Sequence, residues 1–195
     1  MSTPSLYRSV TSLLAAVGCA VALTSCADLA QTGSGPAYLI VESVRGGRVG
    51  GTFSNSLESD VDTNGTAFTD LGQATIRAEM KNAIRTTAPT AINSITLRSY
   101  RVRYRRTDGQ NREGVDVPYG FDGAATQTIS IGSSAVVGFD LVRPQSKLEP
   151  PLRTLVGKGG LIFISVIAEV TFYGKDQAGN DVSVSGAIDV KFADF

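Results

Sequence analysis

The sequence predicts an all-β fold, an antiparallel β-sandwich of seven to eight strands over residues 37–195. Three observations predict it. Beyond residue 36 apolar and polar residues alternate with a period of two, the spacing that sends successive side chains to opposite faces of a strand. No window of about twelve residues in that region carries an apolar stripe at helical spacing. The alternating runs are short and broken by Gly, Asn, Asp and Pro. Such strands cannot bury an apolar face alone, and two sheets facing each other are the simplest remedy.

The run at 36–44, PAYLIVESV, reads as the opening strand, with Gly46-Gly47 and Gly50-Gly51 as turns after it. From 72 to 81 the alternation is clean: Ala74, Ile76, Ala78 and Met80 share one side, and Thr75, Arg77, Glu79 and Lys81 the other. The next strand changes phase. Ile95 and Leu97 begin in one register, and Tyr100, Val102 and Tyr104 continue in the other, which predicts a bulge or a crossing between sheets. Asp108-Gly109 follows as a tight turn. Short strands are expected at 114–117, 126–131 and 135–142. The last two are the most regular. Ile162, Ile164, Val166, Ala168, Val170 and Phe172 form one face. After the KDQAGN connection, Val182, Val184, Gly186, Ile188, Val190 and Phe192 form the matching one. An antiparallel hairpin follows from that pairing. Met80–Arg85 and Ser146–Val156 are the best helical candidates. Pro150-Pro151 interrupts the second, so a turn of helix at most is expected.

This order of strands, with the FYGKDQAGND ending, resembles the immunoglobulin-like and fibronectin-like modules of bacterial surface proteins. The chain has no Trp and no cysteine pair within the strands, so the antibody-type core signature is absent. The segment Val115–Ala124, VDVPYGFDGA, is similar to one found in envelope lipoproteins, a resemblance that transfers no activity.

The N-terminal 25 residues read as a targeting signal, not as part of the fold. Arg8 gives a positive start, and Val10 to Leu23 is an apolar run too short for a spanning helix. Its end, Leu23-Thr24-Ser25-Cys26, resembles the lipobox of bacterial lipoproteins. The resemblance implies cleavage before Cys26, acylation of that residue and attachment to membrane lipid. Two or three acyl chains are what make such anchoring stable. Residues 26–36 then serve as a flexible tether. In that family an Asp directly after the Cys is the inner-membrane retention signal. Here Ala27 holds that place and Asp28 comes one later, so cell-envelope delivery to the outer membrane or cell surface is expected over the inner membrane.

Eighteen basic residues balance eighteen acidic ones, and losing Arg8 with the signal shifts the balance by only one charge. That argues against nucleic acid as a partner. The chain contains no histidine, and its two cysteines, Cys19 and Cys26, fall in the signal and at the lipidation site. Ser-His-Asp and Cys-His catalysis, and haem or zinc sites built on His or Cys, are therefore excluded from the mature domain. No carboxylate spacing recommends an enzyme either. The expected role is non-catalytic recognition or scaffolding in the envelope, with no catalytic residue and no cofactor assigned.

Two constellations are candidates for that role. Arg101, Arg103 and Arg105 alternate with Tyr100, Val102 and Tyr104, with Arg98, Arg106 and Arg112 nearby. A guanidinium ladder on an exposed sheet face suits an acidic glycan or the carboxylates of an envelope protein. The bland alternative is a solvated face whose charges neighbouring strands offset. The second constellation is DVDTNG: Asp60, Asp62 and Asn64 alternate oxygen ligands before Gly65, as a calcium loop would. The twelfth position is Leu71 where an acidic residue is wanted, with Asp70 one place early. This motif supports an alternative function, calcium-assisted carbohydrate binding or adhesion, against the plainer reading of an Asx-rich turn. Asp176, Asn180 and Asp181 form a second oxygen-rich loop of the same ambiguity. Tyr119 and Phe121 are either a ligand platform or a plug for the end of the sandwich, the plug being favoured. GKGG at 157–160 lacks the spacing of a phosphate loop.

Overall fold

The computed structural model describes residues 35–48, 50–82 and 90–195. Cys26, the signal and most of the tether lie outside them. Eight strands are described: β1 (Ala37–Arg48), β2 (Ser56–Asp60), β3 (Asp70–Met80), β4 (Ile95–Arg105), β5 (Phe121–Ile129), β6 (Ser134–Val142), β7 (Ile164–Asp176) and β8 (Asp181–Ala193). A five-residue helix α1 (Pro144–Leu148) and 3-10 turns at Ala91–Asn93 and Leu152–Leu155 complete the elements. The strands form an all-β sandwich, one sheet ordered β1-β3-β6 and the other β2-β8-β7-β4-β5. Among the named strands the pairings are antiparallel, except that β2 runs parallel to β8.

The alternation in the sequence becomes the core. Ala74, Ile76 and Ala78 of β3 are buried, as are Val137, Phe139 and Leu141 of β6. Facing them are Tyr100, Val102 and Tyr104 of β4, with Val166, Ala168, Val170 and Phe172 of β7. The change of phase in β4 is a bulge: its pairing with both β5 and β7 shifts between Leu97 and Ser99, and Arg98 is the residue skipped. The final hairpin pairs Ile164 with Phe192 and runs without a shift to Lys175 and Asp181.

Three local expectations are corrected, and one strand has no forerunner in the sequence reading. Residues 114–117 form no strand but a turn, closed by a single bridge between Glu113 and Val117. Ser56–Asp60, which carries little alternation, forms β2 instead. Gly46 and Gly47 are not a turn; β1 continues through them to Arg48, opposite Gly72 and Leu71 of β3. A Cβ at Gly46 would stand 3.0 Å from Leu57 and Leu141 and 3.2 Å from Ile188, so any larger residue there would have to push these core side chains aside by a few tenths of an ångström. Finally, Ile162 does not join the core face of β7: Leu161, Ile162 and Phe163 precede the strand and are exposed.

The two sheets are tied by phenols as well as by apolar packing. The Tyr104 hydroxyl donates to the Leu141 carbonyl across the interface at 2.6 Å. The Asp140 amide donates to the Tyr100 hydroxyl at 3.0 Å. Burial pushes both phenols above their ordinary pKa, and the neighbouring Asp70 charge raises Tyr104 further. The folded chain therefore holds these protons at a pH where the unfolded chain has released them. Stability from this source is complete below pH about 10 and falls as pH rises beyond it, by about 1.4 kcal/mol per pH unit for the fully buried Tyr104. Urea midpoints measured across that alkaline range should fall, and Tyr104→Phe should flatten the slope. A slope identical in wild type and Tyr104→Phe would show that the phenol ionises freely in the folded state.

Candidate functional site

The outer face of the five-stranded sheet is built by the same alternation that builds the core. With Tyr100, Val102 and Tyr104 turned inward, Arg101, Arg103 and Arg105 are turned out, in register with Thr171, Glu169 and Ile167 of β7. On the other side of β4, Arg101 stands opposite Asp122 of β5. The skipped residue Arg98 is exposed at the bulge, a place where re-aimed side chains are common. The ladder expected from the sequence is thus present.

Its charges are unequally spent. Arg101 grips Asp122 through both carboxylate oxygens, Nε to Oδ1 at 2.6 Å and Nη2 to Oδ2 at 2.9 Å. That bond, above all, holds the Asp122 carboxyl below its usual range and raises the Arg101 guanidinium. Arg105 is paired with Glu169. Among the described residues, Arg98 and Arg103 have no ion-pair partner. Arg103 lies between two shallow recesses, each of about 230 Å³. One is lined by Arg101, Glu113, Gly120 and Asp122, the other by Arg101, Glu169, Thr171 and Tyr173. Both are polar, and Tyr173 is 40% exposed beside the second. Arg106 and Arg112 are removed from the ladder by local pairing with Asp108 and Asp116, whose carboxyls they depress.

The DVDTNG stretch is a turn whose side chains serve different bonds. The Asp60 carboxylate is buried and accepts from the Thr63 hydroxyl at 2.9 Å and the Phe195 amide at 3.2 Å. Asp62 accepts from the Gly65 amide at 3.2 Å. Asn64 and Gly65 both have positive φ, 55° and 81°, and Thr63 bridges Thr66 across them. That is the geometry an Asn-Gly pair favours in a two-residue hairpin connection. Among the described residues no group of three or more His, Cys, Asp or Glu side chains is placed to hold a metal ion. Asp176 likewise closes a turn: it accepts from the Asn180 amide and side-chain nitrogen, both at 2.8 Å. Asp181 instead pairs with Lys175 across the hairpin.

Phe121 packs on the core under the Arg143 guanidinium, 3.9 Å above its ring, as a plug would. Tyr119 is 52% exposed.

One cluster went unread in the sequence. Lys147 of α1 reaches inward, its side chain 1% exposed, and its Nζ lies 2.8 Å from Asp70 Oδ2 at the start of β3. The Ser59 hydroxyl of β2 donates to the same oxygen at 2.6 Å. The signal for Asp70 was available, since it stands in phase with Ala74, Ile76 and Ala78 on the core face of its strand. Nothing local marks Lys147. This cluster floors a cavity of about 290 Å³, also lined by Arg48, Asp60, Thr63, Phe68 and Thr69.

No family model matches this chain, and no curated protein matches it. A solved structure that resembles it is that of Spo0M, a sporulation control protein from Bacillus subtilis, at 17% identity and a TM-score of 0.30 over 80% of this chain. The match spans about half of that protein, 49% of its length. Likeness at that level carries neither fold nor function to this chain.

Proposed function

We propose that this chain is a lipid-anchored protein of the cell envelope whose sandwich is a non-catalytic recognition or scaffolding module. Its partner is a carboxylate-bearing surface, an acidic glycan or an envelope protein, met by the outer face of the five-stranded sheet. The observation that carries the reading is Arg103. Its guanidinium is without an ion-pair partner among the described residues, stands between two polar recesses, and is flanked by Arg101 and Arg105 held in place by Asp122 and Glu169. Fixed neighbours limit the side-chain entropy lost when a carboxylate docks bidentately on Arg103. Acylation of Cys26, implied by the lipobox, supplies location, and the tether supplies reach.

In-cell photocrosslinking from the position of Thr171 tests this. Wild type should capture a discrete envelope partner. Arg103→Glu should lose about nine-tenths of that capture or more, the loss expected when a charge-assisted contact becomes a repulsion. Cys26→Ser should release the protein from the membrane fraction and end incorporation of a palmitate analogue. Capture that ignores Arg103→Glu would remove the ladder as the docking surface. Membrane attachment that ignores Cys26→Ser would remove the anchor.

A further inference from the structure

The cavity beside Lys147 lies apart from the Arg103 face and has a different chemistry. Its lining holds two cations, Arg48 and Lys147, two anions, Asp60 and Asp70, two hydroxyls, Thr63 and Thr69, and one aromatic ring, Phe68. The charges cancel. They are also fixed: Lys147 is held by Asp70, Asp70 by Ser59 as well, Asp60 by Thr63 and the Phe195 amide, and the Arg48 Nε donates to the Glu58 carbonyl at 3.3 Å. Phe68, by contrast, is 53% exposed, an apolar ring left facing water at the edge of a polar recess.

Hydrogen-bonding capacity remains after these bonds are counted. Lys147 and Asp70, each 2% exposed, form the closed floor, so the groups a ligand meets are the Arg48 guanidinium, the Thr63 and Thr69 hydroxyls and the edge of the Asp60 carboxylate. The Arg48 guanidinium has no carboxylate partner among the described residues, although Asp60 lines the same cavity. Asp60 retains lone pairs beyond the bonds named. Donors and acceptors are therefore both on offer, side by side, in a site of zero net charge.

We infer that this cavity is a binding site for a single neutral sugar ring, free or at the end of a glycan. A sugar hydroxyl donates and accepts at once, so it can span a cation and a carboxylate that are already locked in place. An anionic ligand would face the charges of Asp60 and Asp70, and a cationic one those of Arg48 and Lys147. The carbon–hydrogen face of the ring would cover Phe68, removing apolar surface from water. The volume lies at the small end of the range for ligand sites, room for one ring rather than a chain. No metal ion is required, and the inference is independent of the Arg103 face.

The test is titration of the folded domain with neutral hexoses and an N-acetylhexosamine, followed by saturation-transfer NMR and calorimetry, with a chelator present throughout. At least one neutral sugar should bind. Phe68→Ala and Arg48→Gln should each weaken it about tenfold without lowering the melting temperature, since neither residue is buried in the core. The corresponding hexuronate and hexosamine should bind more weakly than the neutral sugar. Failure of every neutral sugar to bind, indifference of binding to both substitutions, or preference for a charged analogue would each overturn the assignment. Arg103→Glu should leave this binding unchanged, so failure here and failure of the Arg103 face are read separately.

Discussion

Replacing Lys147 with methionine is expected to cost the folded chain about 3–5 kcal/mol, the range for breaking a buried ion pair from one side. The two side chains are 1% and 2% exposed, and their closest atoms lie 2.8 Å apart. Without the ammonium, Asp70 keeps only the Ser59 hydroxyl against the loss of its hydration. Against a total stability of about 5–15 kcal/mol for a single domain, this is among the largest effects one substitution can have. The pair is still weak grounds for calling the charges stabilising in themselves. Removing both, as in Lys147→Met with Asp70→Leu, should recover most of the loss, because desolvation of the two charges offsets much of their attraction. Urea unfolding with a constant denaturant slope measures both variants. A single substitution costing under about 1 kcal/mol would mean that water reaches Asp70 through the cavity and hydrates it. A double variant as unstable as the single one would mean that the pair sets the position of α1, with the charges needed for geometry.

The pair also shows where the sequence stops being legible. Period-two alternation disclosed the sandwich because it is a local property: Ala74, Ile76 and Ala78 announce a buried face without reference to any partner. The phase change from Leu97 to Tyr100 disclosed the bulge for the same reason. Non-local facts were not encoded that way. β2 contains one aliphatic residue, Leu57, and is recruited by parallel pairing with β8, more than a hundred residues later in the chain. Gly46 reads as a turn residue until Leu57, Leu141 and Ile188 are seen to crowd it. At the candidate site the split is similar. The spacing of Arg101, Arg103 and Arg105 placed them on one face, but only the strand order brings Asp122 and Glu169 alongside and leaves Arg103 different from its neighbours. The Asn64-Gly65 pair carries its turn signal locally, and the plainer reading of DVDTNG as an Asx-rich turn is legible for that reason.

Phe172→Ala is expected to cost about 3–5 kcal/mol, the upper part of what large-to-small core changes remove. Phe172 is fully buried within an aromatic group that joins the sheets. Its ring lies 5.4 Å from that of Phe139 at 82°, and 6.3 Å from that of Tyr100. Neither neighbour is free to fill the space. Phe139 lies over Gly72, its direct partner on β3, and Tyr100 over Gly123, its direct partner on β5. A Cβ at either glycine would fall 2.2 Å from the covering ring. Tyr100 is held further by the Asp140 amide. A core whose side chains are seated in this way collapses poorly, and residual cavity volume is what drives such losses upward. Phe172→Leu should lose less, since it retains most of the buried carbon. Calorimetric or urea unfolding of the two variants decides the point. A loss under about 2 kcal/mol for Phe172→Ala would mean that Phe139 moves off Gly72 into the vacated space, and Gly72→Ala should then be tolerated in that background while remaining harmful in the wild type. If both glycine and aromatic changes cost their full amounts separately and together, Phe139 stays seated over Gly72 and the space left by Phe172 remains a cavity between the sheets.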